Sequence, residues 1–103
     1  LILASGSVTH NLHAFRAGNG RDAPPPEWVT QFNAWLAAAL REGRRADLAA
    51  YRSRAPHAAR NHPTEEHLLP LFVAAGAADG GGAQRLHSSY AYGVIGMDAY
   101  RFD

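Results

Sequence analysis

The chain has no cysteine, no lysine and only one methionine among its 103 residues. Because thiolates are absent, disulfides and cysteine metal sites are excluded, and a bound metal must use imidazole or carboxylate ligands. Such ligands suit Fe(II), Zn(II) or Mn(II). No apolar run approaches the roughly 18 residues of a membrane helix, and no basic segment followed by an apolar one predicts a signal peptide. We therefore predict a cytoplasmic protein.

An excess of charge of one sign is also missing. Ten arginines and nine acidic residues give a formal net charge of +1, which offers no electrostatic footprint for nucleic acid. The arginines of residues 41–54 alternate with acids, and this pattern predicts a solvated helical surface. The composition is 47% hydrophobic, and the length is that of one small domain with a single core.

An apolar segment at the start of the sequence defines the first predicted element. Residues 1–4 read Leu-Ile-Leu-Ala and predict a buried strand, closed by Ser-Gly-Ser at residues 5–7. Since ligands bind at the carboxyl ends of strands in open α/β sheets, His10 is expected at a ligand-binding edge. The sequence opens on this strand without an initiator methionine, so we expect it to be the last part of a longer protein.

The strongest helix prediction begins at Glu27 and ends at Gly43, with Pro26 in its first turn. Large apolar side chains follow helical spacing and predict a core face: Trp28, Phe32, Trp35, Leu36 and Leu40. A second helix is predicted over residues 45–53, with Leu48 and Tyr51 facing inward.

The later part of the chain predicts one more helix and some strands. An apolar helix is expected in residues 68–75, but Pro70 would clash with the preceding turn at an interior position. Either a separate turn carries His67 and the helix begins near Leu69, or the helix is kinked. Residues 86–102 alternate loosely and predict one or two strands, with Gly93 and Gly96 as bend points.

Six histidines supply the candidate chemistry. His62 and His67 are five residues apart, about 140° around a helix, so they cannot readily ligate one metal from one helix. The spacing also differs from His-Glu-x-x-His, which excludes a metallopeptidase. His67 is interpreted either as an inward-facing ligand or as a partly buried histidine bonded to a backbone carbonyl. His62 leads into a helix or supports a neighbouring ligand.

His10 has two interpretations, an ordinary loop histidine or a functional one beside a tight small-residue turn. Ser7 with His10 as its base would suit a hydrolase, but Gly6-Ser7-Val8 lacks the second glycine of a nucleophile elbow. The other three histidines are interpreted as structural or surface residues: His13, His57 and His87.

Three segments together resemble the class III extradiol ring-cleavage dioxygenases, in particular the DOPA 4,5-dioxygenase-like branch. They are residues 4–12 (Ala-Ser-Gly-Ser-Val-Thr-His-Asn-Leu), residues 61–71 (Asn-His-Pro-Thr-Glu-Glu-His-Leu-Leu-Pro-Leu) and residues 96–102. The resemblance implies an α/β fold with a central sheet flanked by helices. Residues 1–103 would form the C-terminal portion of one catalytic domain, and the family's other two histidine ligands would lie in an N-terminal half.

The resemblance also implies the chemistry. His67 would ligate a mononuclear non-haem Fe(II), with zinc as another ion found in this branch. His10 would act as an acid/base towards a DOPA-like catechol and O2, and could itself coordinate a resting zinc ion. His62 is a further candidate residue, for substrate binding. The expected product is of the muconic semialdehyde type.

An alternative is a catalytically inactive truncated fragment that self-associates through the apolar face its missing half would cover. With two of the expected ligands, the chain alone should turn over no catechol. Neither nucleic acid nor a membrane is expected as a partner, and a homo-oligomer is one expected assembly.

Overall fold

Helices form the first and larger part of the chain, and short strands follow. The computed structural model describes residues 1–18 and 20–103. The helices are α1 (Leu12–Arg16), α2 (Glu27–Arg41), α3 (Arg45–Ala49), α4 (Tyr51–Arg54), α5 (Ala58–Asn61) and α6 (Leu69–Ala77). The strands are β1 (Gln84–His87), β2 (Tyr90–Ala91), β3 (Ile95–Gly96) and β4 (Ala99–Arg101).

The strands form two small antiparallel sheets within the described residues. β1 pairs with β4, with Gln84 opposite Arg101, and β2 pairs with β3 in a hairpin. Gly93 turns the hairpin with φ of 73°, a backbone conformation that glycine adopts without strain. The predicted α/β class is confirmed. The strands are more numerous and shorter than the one or two predicted, because the turn at Gly93 separates β2 from β3, and residues 88–89 and 97–98 separate these from the outer strands.

The core is organised by α2, which begins at Glu27 as predicted and ends at Arg41, just before Gly43. Of its predicted apolar face, Phe32, Leu36 and Leu40 are buried, whereas Trp28 and Trp35 of this helix are only partly buried. Its fully or nearly fully buried residues are Val29, Phe32, Asn33, Leu36, Ala39 and Leu40. Gly43 ends the helix with φ of 64°, while Arg44 N donates to the Ala39 carbonyl at 2.9 Å. Burial of each large apolar side chain contributes roughly 1.5–3 kcal/mol. This helix therefore supplies the rigid base against which the neighbouring elements pack.

The predicted second helix is divided in two. The first part ends at Ala49, the backbone leaves helical geometry at Ala50, with φ of −104° and ψ of 25°, and α4 begins at the next residue. Leu48 and Tyr51 are buried, as predicted. Asp47 accepts from Arg44 and Arg54 at 2.9 and 2.8 Å, so the arginine-rich surface is joined by ion pairs.

Of the two alternatives for the next helix, the separate turn is confirmed. His67 lies in a turn, α6 begins at Leu69, and Pro70 occupies its first turn, where its missing N–H is no loss. The helix is less buried than expected: none of its residues is fully buried, although Leu71 and Phe72 pack against the core, and Leu69 and Val73 are exposed.

The predicted buried strand at residues 1–4 is wrong. The segment has no regular secondary structure and pairs with no strand among the described residues, and Leu3 is 94% exposed. A strand depends on a neighbour for its backbone hydrogen bonds, and nothing in the described part of the chain provides one. Instead these residues line an open groove of about 760 Å³, which α6 and the end of β4 also border. We call it the apolar groove.

No helix in the described ranges has the length and apolar character needed to cross a bilayer.

Candidate active site

Two histidine-bearing segments, far apart in sequence, lie side by side. We call residues 7–11 the first histidine segment and residues 61–68 the second. Ser7 N donates to the His67 carbonyl at 2.8 Å, and His10 N donates to the Asn61 carbonyl at 3.1 Å. The first segment therefore runs along the second and is fixed to it at both ends.

The contact between the two segments brings His10 and His67 together. Their ring centroids are 3.8 Å apart, with the ring planes tilted by 30°. His10 is half-buried, whereas the His67 side chain is 42% exposed and borders the apolar groove. Two imidazoles that are distant in sequence thus share one place on the surface. Their roles as ligand and acid/base stay predictions.

A buried threonine holds the residue before His10. Thr9 is fully buried, its hydroxyl donates to the Val94 carbonyl at 3.0 Å, and it accepts from Gly96 N at 2.6 Å. The sequence interpretation missed this residue. A polar side chain next to a buried valine is the signal that would have suggested a paired hydroxyl, because buried polar groups are almost always hydrogen-bonded.

The residue after His10 is fixed by its side chain. The Asn11 amide oxygen accepts from Ala14 N at 2.9 Å, which caps α1, and its amide nitrogen donates to the Arg60 carbonyl at 2.5 Å. His10 is therefore held on both sides by residues whose side chains are themselves satisfied.

Gly6 is required because the second segment passes so close to it. A Cβ atom at this position would collide with the His67 carbonyl. The small-residue turn was expected to let backbone approach a ligand, and the structure shows it lets backbone approach the peptide group of His67. The close approach sets the hydrogen bond from Ser7 and hence the position of the His67 backbone.

The surroundings of His10 favour its neutral imidazole. Burial lowers the pKa of His10 below its ordinary value, and the neighbouring His67 lowers it further. Glu66 opposes this effect more weakly. The Glu66 carboxylate has a lowered pKa of its own, because it accepts from its backbone N–H and from the Thr64 hydroxyl. A neutral imidazole has a lone pair with which to ligate a metal or accept a proton.

His62 lies beneath the pair and has no exposed surface. Its ring packs on Phe32 at a centroid distance of 5.5 Å, and its Nε2 lies 2.6 Å from the Val8 carbonyl oxygen. Burial is the main cause of its lowered pKa. This placement favours the supporting interpretation over substrate binding, which stays a prediction.

The remaining candidates make other contacts. The Ser7 hydroxyl donates towards the carbonyls of Thr9 and Gly96 at 2.8 and 3.3 Å, so the geometry does not favour a nucleophile. His57 and His87 are exposed and bond the side chains of Gln31 and Ser89, and His13 is exposed on α1.

Comparison with known proteins identifies the family. A sequence model of the catalytic LigB subunit of aromatic ring-opening dioxygenase matches residues 1–103. The chain belongs to the LigB family. The resemblance to class III extradiol dioxygenases drawn from the histidine motifs is thereby confirmed.

Individual LigB relatives extend this result. The chain is 35% identical over 103 residues to 4,5-DOPA dioxygenase extradiol of Beta vulgaris and 38% identical over 104 residues to that of Mirabilis jalapa, in each case over 99% of the chain. It spans only 37% and 38% of the length of those proteins. The crystal structure of an uncharacterized protein, JW3007 from Escherichia coli K12, superposes with a TM-score of 0.79 at 28% identity, covering 96% of this chain and 41% of that one.

The side chains of this LigB chain that could ligate a metal ion fit part of a metal site. The described residues contain no cluster of three histidine, cysteine or acidic side chains that could hold an ion. They do bring two imidazoles into contact, and burial lowers the pKa of one of them, which favours its neutral form. His67 would therefore provide one ligand for Fe(II), and His10 would be a further ligand only to a resting zinc ion. The remaining ligands would have to come from beyond the described residues.

Proposed function

We propose that the chain is the C-terminal portion of the catalytic domain of a cytoplasmic, non-haem Fe(II)-dependent extradiol dioxygenase. Its substrate would be a catechol such as DOPA, cleaved beside the diol with O2. The 3.8 Å contact between the His10 and His67 rings is the observation that carries this proposal. LigB membership and the similarity to the named plant dioxygenases support the choice of reaction and substrate.

His67 would be the metal ligand of the pair. Its backbone is fixed through Ser7 and Gly6, while its ring remains partly exposed beside the apolar groove. A bound Fe(II) would supply coordination of the catechol oxygens and electrons for dioxygen activation; zinc would occupy the same ligands without redox activity.

His10 would move protons. Because burial and His67 lower its pKa, the ring is available as a base and can accept a proton from a catechol hydroxyl. The same ring can return that proton later in the reaction. Its main chain is held by Asn61, and Thr9 and Asn11 fix the residues on either side, so the imidazole is positioned before substrate arrives.

A chimera tests this proposal directly. The matched part of the Beta vulgaris dioxygenase would be replaced with this chain, the protein loaded anaerobically with Fe(II), and DOPA and O2 added. The expected result is a yellow ring-opened product. His67→Ala should abolish it through loss of iron, and His10→Ala should lower kcat by about 10²–10⁴-fold with iron retained.

His57→Ala is the matched control, since His57 is exposed and bonds Gln31 away from the pair. A folded, iron-loaded chimera without turnover would contradict the proposal, as would full activity in both site variants. The 103-residue chain alone is expected to give no product.

A second candidate is a self-associating module without catalysis. The apolar groove and the exposed side chains of Leu1, Leu3 and Met97 favour it, because large apolar patches drive assembly. Sedimentation velocity on the isolated chain tests it, and a monomer at high micromolar concentration would count against it.

A further inference from the structure

We propose that His62 is a positioning residue for the His10 and His67 pair. Its neutral ring donates Nε2–H to the Val8 carbonyl and so holds the first histidine segment in register with the second. This inference rests on the proposed function for its catalytic meaning, but the contact it describes can be measured without activity.

The direction of this hydrogen bond follows from the acceptor. A carbonyl oxygen only accepts, so Nε2, at 2.6 Å, must carry the hydrogen. The other ring nitrogen, Nδ1, is buried and has no hydrogen-bond partner among the described residues. A hydrogen on Nδ1 would be a buried donor without an acceptor, which costs about 1–3 kcal/mol. The geometry therefore selects one neutral tautomer.

The position of the His62–Val8 hydrogen bond within the first histidine segment explains its effect on that segment. Ser7 N and His10 N hold the ends of the first segment, and His62 holds Val8 between them. The ring of His62 cannot move to release Val8, because it is fully buried against Phe32. The titratable groups that influence it are His10, His67 and Arg52; the Arg52 guanidinium donates to the His62 carbonyl at 2.9 Å.

Two variants separate positioning from simple packing. In His62→Gln the amide nitrogen can occupy the place of Nε2 and keep the bond to Val8. In His62→Asn the shorter side chain places its amide near Nδ1 and cannot reach. Leu48→Ala removes buried surface on α3 without touching either segment's hydrogen bonds, and serves as the packing control.

The readout is the cross-relaxation between the ring protons of His10 and His67 in the NMR spectrum of the 103-residue chain. We expect His62→Gln and Leu48→Ala to keep at least half of the wild-type intensity and His62→Asn to lose at least fivefold. A folded His62→Asn chain with wild-type intensity would overturn the proposal, as would an equal loss in Leu48→Ala.

If His62→Asn does not fold, the tautomer of His62 in the wild-type chain tests the proposal instead. Long-range ¹H–¹⁵N spectra of the wild-type chain at pH 7.5 should show hydrogen on Nε2 and a bare Nδ1 in His62. Hydrogen on Nδ1 would overturn the proposal. Should these results hold while the chimera cleaves no catechol, the positioning would stand and only the proposed function would fail.

Discussion

The paired histidine segments and the apolar groove differ in how far their residues find bonding or packing partners within this chain. Between the segments, the backbone N–H groups of Ser7 and His10 and the hydroxyl of Thr9 find partners within the chain. Along the groove, residues 1–4 find no strand partner in the described part of the chain, and Leu3 is 94% exposed.

The difference separates what the chain can organise alone from what it cannot. Under the proposed function, these bonds would make the imidazole pair a preformed part of a metal site. The groove is apolar surface whose burial needs another chain or a further part of a longer one. Substitutions between the segments should therefore alter stability and ring contact together, whereas substitutions in the groove should alter assembly alone.

Gly6→Ala should have the largest effect. A Cβ atom would collide with the His67 carbonyl, and we expect a loss of about 1–3 kcal/mol in the free energy of unfolding together with the His10 and His67 ring contact. Urea unfolding and NMR measure the two effects. Gly76→Ala is the control, since its Cβ meets open space in α6 and should stabilise by about 0.5 kcal/mol. Equal changes in stability and ring contact in the two variants would show that Gly6 does not lie close to the His67 carbonyl.

Thr9→Val should rank second. It removes the hydroxyl that joins the Val94 carbonyl to Gly96 N in a fully buried place, so we expect about 2 kcal/mol of destabilisation by urea unfolding. Thr30→Val removes an exposed hydroxyl bond on α2 and should change stability by less than about 0.5 kcal/mol. A Thr9 variant as stable as the Thr30 variant would show that the Thr9 bonds do not fix the first segment.

Acid should weaken the folded chain through His62. Burial lowers its folded pKa below the ordinary 6.5, so below that pH the unfolded chain binds a proton that the folded ring excludes. Stability is then fully present above about pH 6.5 and falls as the pH drops towards the folded pKa. Urea unfolding of the metal-free chain at pH 7.5 and 5.5 should show a smaller loss for His62→Gln than for wild type. Identical losses would mean that His62 titrates as an exposed residue does.

The smallest effect on folding is expected in the groove. Leu3→Glu should leave the free energy of unfolding within about 0.5 kcal/mol, because the side chain is already exposed. It should reduce self-association in sedimentation velocity, whereas Leu12→Glu, on α1 and outside the groove, should not. Equal assembly by both variants and wild type would show that the groove is not the contact.

The sequence predicted the elements that depend on local pattern. Helix α2 was predicted because its apolar spacing and end signals lie within one stretch. The pairing of His10 with His67 came from motifs whose resemblance to a family carries long-range information. The bonds from His62 to Val8 and from Gly96 to Thr9 span 54 and 87 residues, and no local pattern encodes them. The strand prediction at residues 1–4 failed because a strand's formation depends on its neighbour.

The most direct measurement is anomalous diffraction at the iron edge from crystals of the Fe(II)-loaded chimera. The account predicts one ion within about 2.2 Å of an imidazole nitrogen of His67, the range of metal–imidazole bonds, with the His10 ring beside it. An ion bound elsewhere, with both imidazoles outside coordination distance, would contradict the account.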